Sequence, residues 1–172
     1  MQSLFTERTP VLVGGAAVEL YTGGAYTTGD LDFVGHVPRS VQSVLMKEGF
    51  RKEGRHWIHE AEELFIEFPG AEVAAGEKTA TILVDGIRVL TLTPEDILVD
   101  RLSAWQFWNS STDGISAFLI WKAQTAELDN RRLTTIARER GVVVALEELR
   151  GFVERGDSPS PEILEQWANR RL

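Results

Sequence analysis

VLVGGAAVELYTGGAYTTGDLDFVG, residues 11–35, sets the reading of the whole chain. A short apolar run, VLVG, ends at Gly14-Gly15. AAVELYT then reads as one or two helical turns running to Gly23-Gly24, and TGDLDFVG as a second strand. Side chains on a strand repeat their direction every two residues, so Asp30 and Asp32 point to one side and Leu31 and Phe33 to the other. Two carboxylates held this close disfavour joint ionisation unless a cation lies between them. A divalent metal is the simplest cation to meet that need.

Outward from this segment the chain divides near residue 92. The first half alternates short apolar runs with turn signals, whereas the second is almost free of glycine and reads as helices. The expected fold class is α+β: a mixed β-sheet with flanking helices over residues 1–92, followed by an all-α region over 93–172 that packs on it. Residues 38–48 place Val41, Val44 and Leu45 at helical spacing, between Pro38 and Gly49. RHWIHE and ELFIEFP are two strand-like segments separated by an acidic turn. KTATILVDGIRVLTL is a hairpin turning at Asp85-Gly86. Thr93 is an N-cap ahead of Pro94, Glu95 and Asp96, and the helix it opens runs to about Phe107. Further helices are expected at 113–127, 129–139 and 142–155, with a last one capped at Ser160 and ending in Arg170 and Arg171.

Composition narrows the chemistry. The chain has 172 residues, 43% hydrophobic and 26% charged, a scale that suits one compact domain or a small domain with a helical extension. A net charge of -8 argues against a general polyanion binder, because nonspecific nucleic-acid affinity rests on basic phosphate contacts. Arg131, Arg132, Arg138 and Arg140 still offer a local basic face. The absence of cysteine removes disulfides, thiolate zinc sites and cysteine nucleophiles together. With only three histidines, carboxylates and carbonyls remain as ligands, which favours magnesium or manganese. Glu7 and Arg8 interrupt any leader-like pattern, and no apolar run approaches the roughly 20 residues of a membrane span. The expected location is cytoplasmic.

GGAAVELY, TTGDLDF, the GF at 49–50, the IEF at 66–68 and LTPEDILVDRLSAW at 92–105 occur in an order that resembles the nucleotidyltransferase-fold superfamily. Its small bacterial branch, which includes AbiEii-type toxins of toxin–antitoxin pairs, is the nearest likeness. The resemblance covers about residues 9–130. It implies transfer of an NMP from an NTP such as ATP to an acceptor, assisted by two Mg2+ (or Mn2+) ions roughly 3.5–4 Å apart that clamp the attacking and leaving oxygens. By the same resemblance Asp30, Asp32 and Glu67 hold the metals and serve catalysis. Gly14 and Gly15 cradle the triphosphate at a helix start, where backbone N–H groups and the dipole favour anions. Arg101 stands where relatives carry a phosphate-meeting Lys, and Asp113 where they carry a basic-Asp pair. The acceptor is left open among a protein, a small molecule and an RNA end, with nucleic acid the less favoured. A toxin role would bring a cognate antitoxin as partner.

Two family positions differ here: Gly15 stands where a Ser is usual, and Ala25 or Tyr26 where an Arg precedes the DxD strand. Both thin the grip on phosphate, which motivates the alternative of a catalytically inactive relative that binds a nucleotide or a protein. Individual residues also have plain structural readings. Glu67 can be a solvent-facing strand residue, Arg101 an ion-pair partner of Glu95 or Asp96, and Asp96 and Asp100 caps or exposed residues. Trp105, Phe107, Trp108, Phe118 and Trp121 read as packing between helices, and the alternative is a stacking platform. His56 and His59 are taken to share one strand face, without a third metal ligand, and so to be structural or superficial.

Overall fold

The computed structural model describes residues 1–170. Its chain forms two compact units, one of Met1–Leu20 and Thr27–Thr93, the other of Tyr21–Tyr26 and Pro94 onward.

The first unit is built on a seven-stranded mixed sheet. Its strands are β1 (Val11–Val13), β2 (Asp30–Val34), β3 (Arg51–Glu53), β4 (His56–His59), β5 (Leu64–Gly70), β6 (Thr79–Val84) and β7 (Ile87–Leu92), in the order β3-β4-β5-β2-β1-β7-β6. β1 runs antiparallel to β2 and parallel to β7, and β2 runs parallel to β5. The expected α+β class is therefore observed. Helix α1 (Gly14–Thr22) starts directly at the Gly-Gly turn, two residues earlier than AAVELYT suggests, and α2 (Arg39–Lys47) follows Pro38. Alternation does the sorting: Leu12, Phe33, Trp57 and Ile66 are buried with Ala16 of α1 and Val41 and Leu45 of α2. The Asp85-Gly86 hairpin turn has both residues at positive φ, 49° and 81°, as a two-residue turn between twisted strands requires. β3 was not expected. All three of its residues, Arg51, Lys52 and Glu53, are charged and exposed, so it carries no hydrophobic period to read.

The second unit is helical: α3 (Pro94–Trp108), α4 (Ser111–Gln124), α5 (Asn130–Glu139), α6 (Val143–Arg155) and α7 (Pro161–Asn169). Side-chain caps fix three starts. Ser110 accepts from Asp113 N–H, Asp129 from Arg131 and Arg132 N–H, and Ser160 from Ile163 N–H. The Ser110 cap begins α4 earlier than residue 113. Arg171, expected at the end of the last helix, lies outside the described residues.

Trp105 is fully buried against Trp167, ring centroids 4.3 Å apart, and its indole N–H donates to Leu164 O at 3.0 Å. Phe118 and Trp121 are buried too, as a core reading requires, but Phe107 and Trp108 are exposed. Those two sit at the end of α3, where the helix face that carries Leu98, Leu102 and Trp105 inward has rotated away. No described helix is long and apolar enough to cross a membrane.

Candidate functional site

β2 lies at the centre of the sheet, and its pairing decides what meets Asp30 and Asp32. In the parallel pair with β5, Asp32 is the register partner of Glu67, and Asp30 of Phe65. In the antiparallel pair with β4, Glu67 is in turn opposite His56. Register partners share a face, so His56, Glu67 and Asp32 form one row across three strands, with Asp30 one step along on the same side. Leu31 and Phe33 turn to the other face, where Phe68 stacks on Phe33 at 5.9 Å.

The strand enters this row under local control. Thr28 N–H donates to Glu19 Oε2 at 3.2 Å, and the Thr28 hydroxyl accepts from Asp30 N–H at 3.3 Å.

Gly14 closes the site from the helix side. Its φ is +64°, and a Cβ built there would overlap Asp32 Oδ2 and stand 3.0 Å from Asp32 Cγ. The Asp32 carboxyl group thus lies against the first residue of α1, where the positive end of the helix dipole favours a negative charge. Only glycine leaves room for this approach.

Glu67 is ion-paired through one oxygen and has a histidine beside the other. Arg55 Nε lies 2.6 Å from Oε1 and His56 Nδ1 lies 3.7 Å from Oε2. Sequence reasoning missed Arg55 and left His56 as structural or superficial. Arg55 belongs to the tight β3–β4 turn, and its only signal was its position two residues ahead of a buried strand residue, Trp57. His56 and His59 are three residues apart, not two, so they face opposite sides of β4 and the shared face expected of them is corrected. His59 instead packs edge-on against Phe50 at 5.1 Å and accepts from Glu62 N–H.

All-oxygen carboxylate donors fit a hard divalent cation, and Asp30, Asp32 and Glu67 are the residues that would hold it. Among the described residues no three His, Asp or Glu side chains are gathered closely enough to share an ion. Asp30 is exposed while Asp32 and Glu67 are half-buried, and Glu67 joins the aspartates only if Arg55 lets it go. A cleft of about 950 Å3 opens on the opposite, apolar face of the sheet, lined in part by Leu12, Ala16, Leu31, Phe33 and Val89.

Within the second unit, Arg101 is paired with Asp100 and, at 2.6 Å, with Asp113. Burial alone would lower its pKa, but the two carboxylates outweigh this and hold the proton above the ordinary arginine value. Glu95 and Asp96 are not its partners, because five and six residues along a helix lie off the i+3 and i+4 spacings. Nor are they exposed caps: both are buried, Asp96 paired with Arg132 and Glu95 accepting from Asp129 N–H at 2.8 Å. Arg132 is thereby withdrawn from the basic face that its neighbours suggested.

A solved structure described as that of an antigenic nucleotidyltransferase-like protein from Paracoccidioides brasiliensis superposes with a TM-score of 0.51 over 80% of this chain and 84% of that one, at 17% identity. The fold is nucleotidyltransferase-like. At that identity the likeness speaks for the fold alone. Comparison with protein-family models and with curated proteins finds no match.

Proposed function

We propose that the chain is a metal-dependent nucleotidyltransferase, moving an NMP from an NTP to the hydroxyl or phosphate of an acceptor. The observation that carries this reading is the pairing of Asp32 with Glu67 on the two central parallel strands, with Gly14 at the start of α1 pressed against the Asp32 carboxylate. A carboxylate row beside a helix start brings together metal ligands and a ready anion site. When bound, divalent metal would offset the charge of the phosphates and of the departing pyrophosphate. Asp30 and Asp32 bind it, Glu67 completes the set, and the Gly14-Gly15 backbone meets the triphosphate. The net charge of -8 directs the acceptor toward a protein or small molecule, and the toxin role with a cognate antitoxin is the form this takes if the bacterial branch is the right one.

The Arg55–Glu67 ion pair favours a second reading, an inactive relative that keeps the fold to bind a nucleotide or a protein. In it Arg55 supplies permanently the positive charge that a cation would bring. Calorimetry with a nonhydrolysable NTP and Mg2+ separates the two. Metal-dependent binding by the wild type, lost in Asp30→Asn/Asp32→Asn, supports the enzyme; binding that ignores metal, or none, sinks it. Incubation of each labelled NTP with cell extract then identifies the acceptor class, and release of pyrophosphate rather than free phosphate distinguishes transfer from hydrolysis.

A further inference from the structure

The two edges of the sheet are built in opposite ways. At one edge β3 has three residues, all charged, with Arg51 paired to Glu53 and Glu60. Charged residues on a short strand discourage a second chain from adding to it. At the other edge β6 is six residues long, TATILV, with no charge and no proline. Its pairing with β7 runs without a bulge from Thr79–Leu92 to Val84–Ile87. Among the described residues β7 is its only strand neighbour, so its outer N–H and C=O groups have no strand partner. Large apolar side chains remain in water at its turn end, Leu83 at 71% and Ile87 at 67% exposed.

We propose that β6 pairs antiparallel with β6 of a second copy of this chain, joining two sheets into one across a two-fold axis. The strand is suited to itself. With the axis at Ile82, Ala80 lies opposite the partner's Val84 and Thr81 opposite the partner's Leu83, so every paired residue shares a face with its mate. Exposed Thr79, Thr81 and Leu83 then meet exposed residues, and half-buried Ala80, Ile82 and Val84 meet half-buried ones.

Charge selects the same register. Lys78 at one end of the strand reaches the partner's Asp85-Gly86 turn, and by symmetry the contact occurs twice. Moving the axis to Thr81 would instead set Glu77 opposite the partner's Asp85, like charge against like charge. The interface is isologous and closed, so it ends at two copies instead of growing into a filament.

The chain contains no cysteine, which makes the test clean. Light scattering of the purified wild type should give the dimer mass at micromolar concentration. Thr81→Lys/Leu83→Lys, both at exposed positions, sets lysine opposite lysine twice and should give the monomer mass with an unchanged circular dichroism spectrum. Backbone amide exchange along 79–84 should be slow in the wild type and at least tenfold faster in the double variant. Ile82→Cys, alone on the axis, should cross-link to a disulfide dimer under mild oxidation. A wild type that is monomeric, with fast-exchanging β6 amides, overturns the proposal. So does a dimer that survives the lysine pair, since its interface then lies elsewhere.

Discussion

Gly14→Ala is the sharpest probe of how the site is held. An alanine at φ +64° carries a left-handed backbone penalty of about 1–2 kcal/mol. The new Cβ also overlaps Asp32 Oδ2 and crowds Asp32 Cγ and Cβ at 3.0 and 3.1 Å. The carboxylate has to swing away or the strand has to shift, an overpacking cost of about 1–3 kcal/mol. The single variant should therefore lose about 2–5 kcal/mol of unfolding free energy. Asp32→Ala removes the oxygen and Cγ that are struck. In the double variant Gly14→Ala/Asp32→Ala the backbone penalty and the mild contact with the residual Cβ at 3.1 Å should remain beyond the effect of Asp32→Ala alone. Urea unfolding followed by circular dichroism on the four proteins closes the cycle. A coupling of about 1–3 kcal/mol is expected. Strict additivity, with coupling below about 0.5 kcal/mol, would show that Asp32 does not lie against Gly14 and would undo the picture of the carboxylate at the helix start.

In the helical unit, Asp96→Ala or Arg132→Ala should each destabilise by up to about 3–5 kcal/mol, because each takes an ion-pair partner from a charge largely out of water; a smaller combined loss in the double variant, measured by urea midpoints, is the signature of the pair. Burial, reinforced by Glu95 and Asp96, raises the Tyr21 phenol well above its ordinary 10.0. The unfolded phenol thus ionises first, so stability is full below about pH 10 and falls as the pH climbs beyond it. Midpoints taken at rising alkaline pH should show that slope, and Tyr21→Phe should flatten it. Gly114→Val drives side-chain atoms toward Leu164 Cδ1, 2.8 Å from an ideal Cβ, and the Trp105 ring at 3.0 Å. A loss of about 1–3 kcal/mol and a shifted tryptophan emission spectrum are expected.

What the sequence disclosed follows from where side-chain period and backbone need coincide. Alternation in DLDFV placed Asp30 and Asp32 opposite Leu31 and Phe33, and the Asp85-Gly86 turn announced its hairpin through two residues that tolerate positive φ. β3 stayed hidden because an all-charged edge strand has no apolar face to repeat. The Glu67 environment was hidden for another reason: the register of β4 on β5 sets His56 beside it, the pairing with the distant β2 adds Asp32, and the ion pair to Arg55 arises from a turn. Arg132 and Asp96 look like surface charges in one dimension, yet across 36 residues the half-buried arginine pairs with the buried aspartate. Local pattern reports which way a side chain points; it does not report who waits there.

The segment Tyr21–Tyr26, the last two residues of α1 and the loop after it, belongs with the helical unit although β2 follows it in the chain, and Gln124 Nε2 donates to Tyr21 O at 2.8 Å. The helical unit is therefore discontinuous in the gene. A fragment beginning at Pro94 would leave out Tyr21, and with it the carbonyl that Gln124 uses and a ring beside Glu95 and Asp96. Expression of either half alone, or exchange of the helical half between related chains at residue 93, cuts through a unit rather than between two. A workable transplant has to carry the six residues Tyr21–Tyr26 along with the C-terminal helices.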